Sequence, residues 1–275
     1  MMAKKMTMFA AAVMLIFALS AISEAQEQIR YDGSAPIGKL LMPKAAQEFE
    51  KRENVKFDLH YKTTGYGIEK LLADGCDIAG GTRALEQSEK DKGLVETEIC
   101  LDGYVFIVHE SNPIKQIASE QIEDIFKGKI STWDELGGPK GNKITVISPP
   151  ADTGYYLTAK KVIGFNALPE NSMEVNMTTE VYTSVKAYPF SIGLTSHADI
   201  MDKKDVKLLE ILHKGKRAKI TQTHIYFGTY PYRQSLYFFT KGEPVGNVKK
   251  FIAFFTTKEG KSVIMESGFF LLPPK

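Results

Sequence analysis

A turn near the middle of the chain combines residue types that suit a ligand site. The stretch ITVISPPADTGYYLTAKKVIGF begins at Ile144 and predicts a buried strand, a polar turn and the start of a helix. Backbone N–H groups at a helix start point away from the helix and favour an anion. The turn nevertheless contains the acid Asp152, and no Arg or Lys follows before Lys160. The pattern indicates a ligand site but leaves the charge of the ligand open.

The motifs of common enzyme classes do not occur in the sequence. It has no G-x-S-x-G nucleophile elbow and no G-x-x-x-x-G-K-[ST] phosphate loop. The five histidines are scattered without metal-binding spacing; they are His60, His109, His197, His213 and His224. A site assembled in space from distant residues can escape such patterns. We nevertheless predict a protein that is not an enzyme, with no catalytic residue, metal ion or cofactor.

The composition is that of a globular protein. The chain has 275 residues, 43% of them hydrophobic and 25% charged, which is enough for one large domain or two smaller ones. Its formal net charge is +2 and its pI is about 8.3. This is too mild for a nucleic-acid-binding protein, which needs a concentrated basic face. We therefore predict no nucleic-acid partner.

The N-terminus predicts export from the cell. Lys4 and Lys5 precede an apolar run from Met8 to Leu19, and small residues follow at Ser23 and Ala25. This is the pattern of a secretory signal peptide over residues 1–25, cut after Ala25. The apolar run is shorter than the roughly 20 residues that span a membrane, and no Cys lies near the cut to carry a lipid. We expect a soluble periplasmic protein that is not inserted in the membrane.

The chain has two cysteines, Cys76 and Cys100. In an oxidising compartment two cysteines most often form one disulfide. We predict this bond here, with two buried free thiols as the alternative.

Strands and helices alternate along the chain, which predicts an α/β fold with mainly parallel sheets. SEQIEDIFKG, for example, predicts a helix with Ser119 as its N-cap and a stop at Gly128. THIYFGTYPYRQSLYFFTK predicts a strand interrupted by Pro231. No flexible linker is present, so two lobes would have to be joined by strands that cross between them.

Four segments in register resemble the periplasmic phosphate-binding proteins of bacterial ABC phosphate uptake systems (the PstS-like family). They are YDGSAPIG, TTGYGIEKLLADGCDIAGGTRAL, SNPIKQIASEQIEDIFKGKISTWDELGG and FGTYPYRQSLYFFTK. The resemblance covers nearly the whole mature chain and implies a two-lobed type II periplasmic binding fold with two hinge-crossing strands. It places the crossings near Val108–Asn112 and Tyr226–Pro231, with 26–108 plus 230–275 as lobe one and 109–229 as lobe two.

The resemblance also implies a set of ligand-binding residues in the first half of the chain. The family holds phosphate with helix N-termini and hydroxyl groups, together with one Arg and one acid. Ser34 matches the first-loop Ser, and Thr64 matches the Ser before the second helix. Gly65 would allow close backbone approach, and Thr82 matches a hydroxyl donor. Arg83 follows a Gly-Gly-Thr turn, where we favour a place in the cleft over a surface salt bridge.

The turn described first departs from the family pattern, which is close to R-x-S-G-S-G-T. Ser148 occupies the position of the Arg, and Asp152 replaces a Ser donor. Thr153, Gly154 and Tyr155 follow and are expected to face the ligand. Three interpretations of Asp152 remain open. It shares a proton with the ligand, it caps the helix that starts at Thr153, or the ligand is an organic molecule rather than a compact dianion.

The predicted function follows from the resemblance and from these residues. We expect an exported, monomeric solute-binding protein that captures phosphate or a related oxyanion for an ABC permease. One alternative is a binding protein for a small organic solute. A second is an exported sensory or structural protein that keeps the fold without transport. A later helix start in NMTTEVYTSVKAY offers Thr178 or Thr179, which we assign to a cap or the core.

Overall fold

The computed structural model describes residues 26–274. The predicted signal peptide at 1–25 lies outside the described residues. No helix within 26–274 has the length and apolar character needed to cross a bilayer.

Within residues 26–274, twelve strands form two sheets. In chain order they are β1 Glu27–Gly33, β2 Val55–Leu59, β3 Ile78–Gly81, β4 Leu94–His109, β5 Gln116–Ala118, β6 Thr145–Ser148, β7 Ser172–Glu174, β8 Ser191–Ser196, β9 Val206–Leu208, β10 Glu210–His213, β11 Lys216–Ala218 and β12 Arg233–Lys241. The large sheet has the order β2-β1-β3-β12-β4-β8-β6-β7, and β9 also pairs with β4. The small sheet has the order β11-β10-β5.

In the part of the chain that the structure describes, ten helical elements cover the sheets. They are α1 (Ile37–Leu41 continuing as Met42–Glu50), α2 Thr64–Leu72, α3 Gln87–Lys90, α4 Ser119–Phe126, α5 Gly154–Ile163, α6 Val181–Ala187, α7 His197–Ile200, α8 Gln222–Tyr226, α9 Gly246–Phe254 and α10 Lys258–Glu266. Two short 3₁₀ turns lie at Trp133–Leu136 and Thr178–Glu180. The predicted α/β class is confirmed.

One long strand joins the two halves of the molecule. The first part of β4, Leu94–Gly103, pairs with β12, whereas Tyr104–Val108 pairs with β8. The change of partner lies between Gly103 and Tyr104, a few residues before the predicted crossing near Val108–Asn112. The apolar run after Gly103 is fully buried and packs within the second lobe. Burial of these side chains in the second lobe therefore favours a change of the strand paired with β4 just after Gly103.

The sheet pairings are mixed rather than mainly parallel as predicted. β1 pairs in parallel with β2 and β3, and β6 pairs in parallel with β7 and β8. β12 and β4 are antiparallel to each other and to their outer neighbours β3 and β8. The central pair is antiparallel because β4 runs out of lobe one and β12 runs back into it, so the two crossing strands have opposite directions.

The segment before β12 also differs from its prediction. Residues 222–226 form the helix α8, with Thr221 as N-cap accepting from the His224 amide, instead of the first half of a broken strand. A Thr cap hydroxyl satisfies an orphan N–H and so starts a helix even among β-prone residues. The chain then enters lobe one as β12.

The predicted disulfide is wrong in this structure, since Cys76 and Cys100 are both free and buried. Cys76 packs with Ile68, Leu71 and Ala79 in one hydrophobic cluster. Cys100 lies on β4 in a separate cluster on lobe one. Each thiol is enclosed by its own cluster, so the alternative of two buried free thiols holds.

Candidate functional site

Four helix starts converge on one cleft between the lobes. Ser34 follows β1 and precedes α1, and Thr64 begins α2. From the second lobe, Gly154 begins α5 and Thr178 begins the 3₁₀ turn that leads into α6. The cleft is lined by Ser34, Ala35, Pro36, Lys62, Thr63, Thr64, Thr82, Pro149, Pro150, Thr153, Gly154, Tyr155, Asn176, Met177 and Thr178. Helix N-termini carry partial positive charge, so their convergence favours an anion.

Threonine caps fix two of these helix starts, those of α2 and α5. Thr63 Oγ1 accepts a hydrogen bond of 3.1 Å from the Tyr66 amide, and Thr153 Oγ1 accepts one of 3.2 Å from the Tyr156 amide. Each cap satisfies one orphan N–H of its helix. The other N–H groups at these termini have no intrahelical acceptor and remain available toward the cleft.

Hydroxyl groups supply the polar character of the cleft. Thr64 Oγ1 and Thr82 Oγ1 lie 3.3 Å apart, and the Thr82 amide donates to Thr64 Oγ1 at 3.2 Å. Ser34 Oγ and Thr178 Oγ1 are buried and have no hydrogen-bond partner within the described residues. The Tyr155 hydroxyl is likewise buried without a partner. Buried polar atoms are nearly always paired, so these orphan atoms indicate that a polar ligand belongs here.

The two lobes touch across this cleft. Thr158 Oγ1, on α5, donates a hydrogen bond of 3.1 Å to the Thr82 carbonyl oxygen in lobe one. Lys39 Nζ, on α1, donates to Thr179 Oγ1 at 3.3 Å. A Cβ on Gly154 would lie 2.7 Å from Thr64 Oγ1, which leaves no space for a side chain. The structure therefore shows the closed arrangement of the lobes.

The closed cleft is small and almost free of charged side chains. Its volume is about 30 Å³. Lys62 is the one charged residue among the described residues that line it, and none of them is an acid. Positive potential in the cleft therefore comes from helix ends and one Lys.

Two buried acids lie behind the cleft, near the crossing strand. Asp102 is fully buried and accepts from the Gly103 amide at 2.7 Å, Ser196 Oγ at 2.6 Å and Gln234 Nε2 at 3.2 Å. Burial raises the pKa of its carboxyl to about 6, although these hydrogen bonds oppose the increase. Burial raises the pKa of Asp199 further, to about 7, and the nearby Asp102 charge adds to the increase.

The structure brings together six of the residues predicted from the sequence. Ser34, Thr64, Thr82, Thr153, Gly154 and Tyr155 all line the cleft. Their role in ligand binding remains a proposal, which is argued below.

Arg83 lies outside the cleft lining. Its guanidinium donates two hydrogen bonds of 2.7 Å to the carboxylate of Glu89. Both side chains are mostly buried, and the pair lowers the pKa of the Glu89 carboxyl. The salt-bridge alternative therefore describes the position of Arg83, although the pair is less exposed than a surface bridge. Glu89 on α3 takes up the guanidinium, so it is not directed to the cleft.

Asp152 is exposed and also lies outside the cleft lining. It does not cap α5, because the side chain of Thr153 accepts the capping hydrogen bond. Sharing a proton with the ligand would need the carboxylate beside the cleft, and capping would need it at the start of α5. The Asp152 carboxylate has neither position. Gly65 is exposed too and lies outside the cleft lining, so its predicted approach to a ligand stays a prediction.

Thr178 is a cleft residue that the sequence analysis assigned to a cap or the core. It is buried, begins a 3₁₀ turn and carries an unpartnered hydroxyl. Asn176 and Met177 accompany it in the lining. The N-M-T-T pattern did signal a helix start, but only the fold shows that this start faces the others. No sequence pattern singled out Asp199, because what distinguishes it is its burial in the folded protein.

Two α/β lobes that share a crossing strand and enclose a polar cleft define a periplasmic-binding-protein fold of type II, as predicted. The family model described as PBP superfamily domain matches residues 20–259. The chain therefore belongs to this superfamily, and within it the relatives are PstS-like.

The curated relatives are phosphate-binding proteins. The phosphate-binding protein PstS of Bacillus subtilis (strain 168) is 25% identical over 249 residues, covering 90% of this chain and 81% of that protein. PstS of Staphylococcus saprophyticus is 27% identical over 266 residues, with the same coverage. These names agree with the family resemblance in the four sequence segments.

A solved structure gives the same result. A putative phosphate ABC transporter substrate-binding protein from Clostridium perfringens, determined with bound phosphate, has a TM-score of 0.79 and 26% identity. It covers 88% of this chain and 98% of its own. These relatives are named as binding proteins, which agrees with the absence of an enzyme motif in the sequence.

Proposed function

We propose that this protein is an exported solute-binding protein that captures inorganic phosphate, or a related tetrahedral oxyanion, for an ABC transporter. The observation that carries the proposal is the pair of unpartnered hydroxyls, Ser34 and Thr178, that face one closed cleft from opposite lobes. An oxyanion offers acceptor oxygens on several sides, so it can satisfy donors from both lobes at once. The family names and the phosphate-bound neighbour support the same ligand.

The size of the cleft favours a compact ion over an organic solute. One water needs about 10–15 Å³ of cavity, measured with a probe of water size. The volume of about 30 Å³ therefore admits a group of only a few heavy atoms. Pockets for drug-sized organic ligands measure roughly 300–1,000 Å³. An organic solute would have to hold the lobes apart and break the contacts that join them.

The electrostatics of the cleft agree with a desolvated anion. A carboxylate at Asp152 inside the cleft would oppose phosphate binding, because an acid beside a dianion is repelled strongly at low dielectric. The exposed position of Asp152 outside the cleft removes that argument. Helix N-termini, hydroxyls and Lys62 remain as the groups that stabilise negative charge.

Calorimetric titration of the mature protein with phosphate tests this proposal. We expect saturable binding to the wild type and a weaker affinity for Ser34→Ala. A hydrogen bond to a charged group contributes about 1.5–3 kcal/mol, so the dissociation constant should increase by about tenfold or more. Ser262→Ala is the matched control, because Ser262 is half-buried on α10 and donates to Glu266 of the same helix, away from the cleft. No binding of phosphate by the wild type at millimolar concentration would disprove the proposed ligand.

Export and transport form the remaining part of the proposal. The signal-peptide pattern at 1–25 and the periplasmic family support a secreted, monomeric protein that presents its closed form to a permease. Mass spectrometry of the protein from the periplasmic fraction tests the predicted cut after Ala25. A mature N-terminus at any other residue contradicts the predicted site.

A further inference from the structure

A buried carboxyl stands directly behind one of the cleft hydroxyls. Asp199, on α7, is almost fully buried and lies beside the Thr178 side chain. The Thr195 hydroxyl contacts both residues, since its Oγ1 lies 3.3 Å from Asp199 Oδ2 and 3.1 Å from the Thr178 carbonyl oxygen. Asp199 Oδ1 has no partner in the described residues. Thr178 Oγ1 is also unpartnered and lines the cleft. The two orphan oxygens therefore belong to neighbouring side chains.

The surroundings of Asp199 favour its neutral form. A buried carboxylate is stable when several donors satisfy it, as Asp102 shows with its three donors at 2.6 to 3.2 Å. Within the described residues, the hydroxyl nearest to donating to Asp199 is that of Thr195, whose single hydrogen is shared with the Thr178 carbonyl oxygen at the shorter distance of 3.1 Å. Burial raises the pKa of Asp199 to about 7. A protonated carboxyl has an O–H to donate. The unpartnered Thr178 oxygen is a suitable acceptor for it.

We propose, on the basis of the oxyanion function above, that Asp199 is a positioning residue that fixes the direction of the Thr178 hydrogen. As a neutral acid, Asp199 donates to Thr178 Oγ1, so the Thr178 hydroxyl donates its own hydrogen to the ligand. As a carboxylate, Asp199 accepts that hydrogen, and Thr178 presents only lone pairs to the cleft. Protonation of Asp199 thereby converts Thr178 from an acceptor into a donor for the anion.

This arrangement makes the cleft a set of donors and selects ligands rich in acceptor oxygens. Ionisation of Asp199 weakens binding twice: it removes the Thr178 donor, and it places a negative charge behind the anion. Oxyanion affinity, corrected for the titration of the ligand, therefore decreases as Asp199 loses its proton above about pH 7.

Other titratable groups face Asp199 from the elements around it. Asp102 on β4 raises its pKa, and Lys39 on α1 lowers it. Tyr155 on α5 is a close buried phenol whose own pKa burial raises well above its usual value. His197, on the same helix as Asp199, bonds through Nδ1 to the Gly268 carbonyl, and burial lowers its pKa. Asp102 is the group whose titration lies nearest to that of Asp199.

The test compares phosphate affinities of wild type and Asp199→Asn by calorimetry at pH 6 and pH 8. The titration of phosphate itself cancels in the ratio of the two dissociation constants. Asn cannot ionise and keeps an N–H₂ donor of similar shape. We expect the ratio of wild-type to variant dissociation constants to increase by about tenfold between the two pH values, because a group of pKa near 7 is largely ionised at the higher one.

Thr178→Val supplies a second measurement that does not depend on the folding of the Asp199 variant. It removes the hydroxyl through which Asp199 acts, so the wild-type advantage over Thr178→Val should be large at pH 6 and smaller at pH 8. Asp199→Asn should also have little effect on affinity when it is made in the Thr178→Val protein. Ratios that stay constant with pH, for either variant, would overturn the role of Asp199 while leaving phosphate binding intact. Absence of phosphate binding by the wild type overturns both this proposal and the proposed function.

Discussion

The hydroxyl of Thr158 donates a hydrogen bond of 3.1 Å to the carbonyl oxygen of Thr82, and this bond joins the two lobes beside the ligand cleft. Thr158 lies on α5, one turn after the helix start that lines the cleft. Thr82 follows β3 in the other lobe and lines the cleft itself. The bond can exist only when the lobes are closed, so it links closure to the position of a ligand-facing residue.

Thr158→Val should weaken phosphate binding without unfolding either lobe. A neutral hydrogen bond contributes about 0.5–1.5 kcal/mol, which corresponds to an increase of about threefold to tenfold in the dissociation constant. Thr183→Val is the matched control, because Thr183 donates to the Glu180 carbonyl within the second lobe. Equal affinities of the Thr158 and Thr183 variants would contradict a role for the bond in closure. Calorimetric titration provides the measurement.

A methyl group on Gly154 should prevent closure. A Cβ there would lie 2.7 Å from Thr64 Oγ1 and 3.1 Å from Thr82 Oγ1, which are contacts across the lobes. We expect Gly154→Ala to lower phosphate affinity by about tenfold or more, while thermal unfolding of the ligand-free protein changes little. Gly65→Ala is the control, because its Cβ would meet no atom within 4 Å. An unchanged affinity in Gly154→Ala would show that the ligand-bound lobes are further apart than in this structure.

Arg83 should contribute to stability and not to ligand affinity. Arg83→Gln leaves Glu89 without its partner in a mostly buried position, and we expect a loss of about 2 kcal/mol in the free energy of unfolding. The double variant Arg83→Gln with Glu89→Gln should recover part of this loss, because no unpaired charge remains. Urea unfolding measures both effects. A large decrease in phosphate affinity in Arg83→Gln would place the guanidinium in the ligand site instead.

Asp152→Ser should leave phosphate affinity unchanged within about twofold. The side chain is exposed, lies outside the cleft lining and does not cap α5. A strong increase in phosphate affinity on this substitution, measured by calorimetry, would show that the carboxylate repels the ligand after all.

The two buried acids should make the ligand-free protein less stable as the pH increases. Burial raises the pKa of Asp102 to about 6 and that of Asp199 to about 7, both above the usual value of 3.8. The unfolded chain then releases these protons at lower pH than the folded protein, so the free energy of unfolding decreases from about pH 4 to pH 7. Denaturant unfolding at pH 5 and pH 8 measures the decrease.

Asp199→Asn should reduce this difference between pH 5 and pH 8 by an amount on the order of 2 kcal/mol. Asp205→Asn is the control, because its pairing with Lys186 lowers the pKa of Asp205, and its titration ends below this pH range. If Asp199→Asn alters the difference in unfolding free energy between pH 5 and pH 8 no more than Asp205→Asn does, then Asp199 is not protonated in the folded protein.

Sequence patterns predicted the fold well because they follow from local burial and from segments in register. The alternation of strands and helices indicated the α/β class, and the resemblance of four segments in register to the PstS-like family implied two lobes joined by crossing strands. The partner of β4 changes at Gly103, and the sequence alone does not show this, because the apolar run continues through the crossing without a break.

The candidate site was harder to predict, because it depends on which helix starts meet in space. Ser34, Thr64 and Thr82 were found from the aligned segments and lie together as expected. Arg83 and Asp152 are charged residues close to turns that line the cleft. Arg83 is held outside the cleft by its bidentate pairing with Glu89, and Asp152 lies at an exposed position of the backbone. The role proposed for Asp199 depends on its burial and on the lack of a donor to one of its oxygens, and neither property can be read from a pattern of residues.

The shared strand β4 also constrains the order in which the molecule can be made. Its first part pairs with β12, and contacts between these strands join residues about 130 positions apart in the chain. Lobe one therefore lacks its central antiparallel pair until the last quarter of the chain has left the ribosome. Because such distant pairing is slow to form, we expect a nascent chain that remains incompletely folded throughout synthesis, a state compatible with passage through a narrow translocation channel.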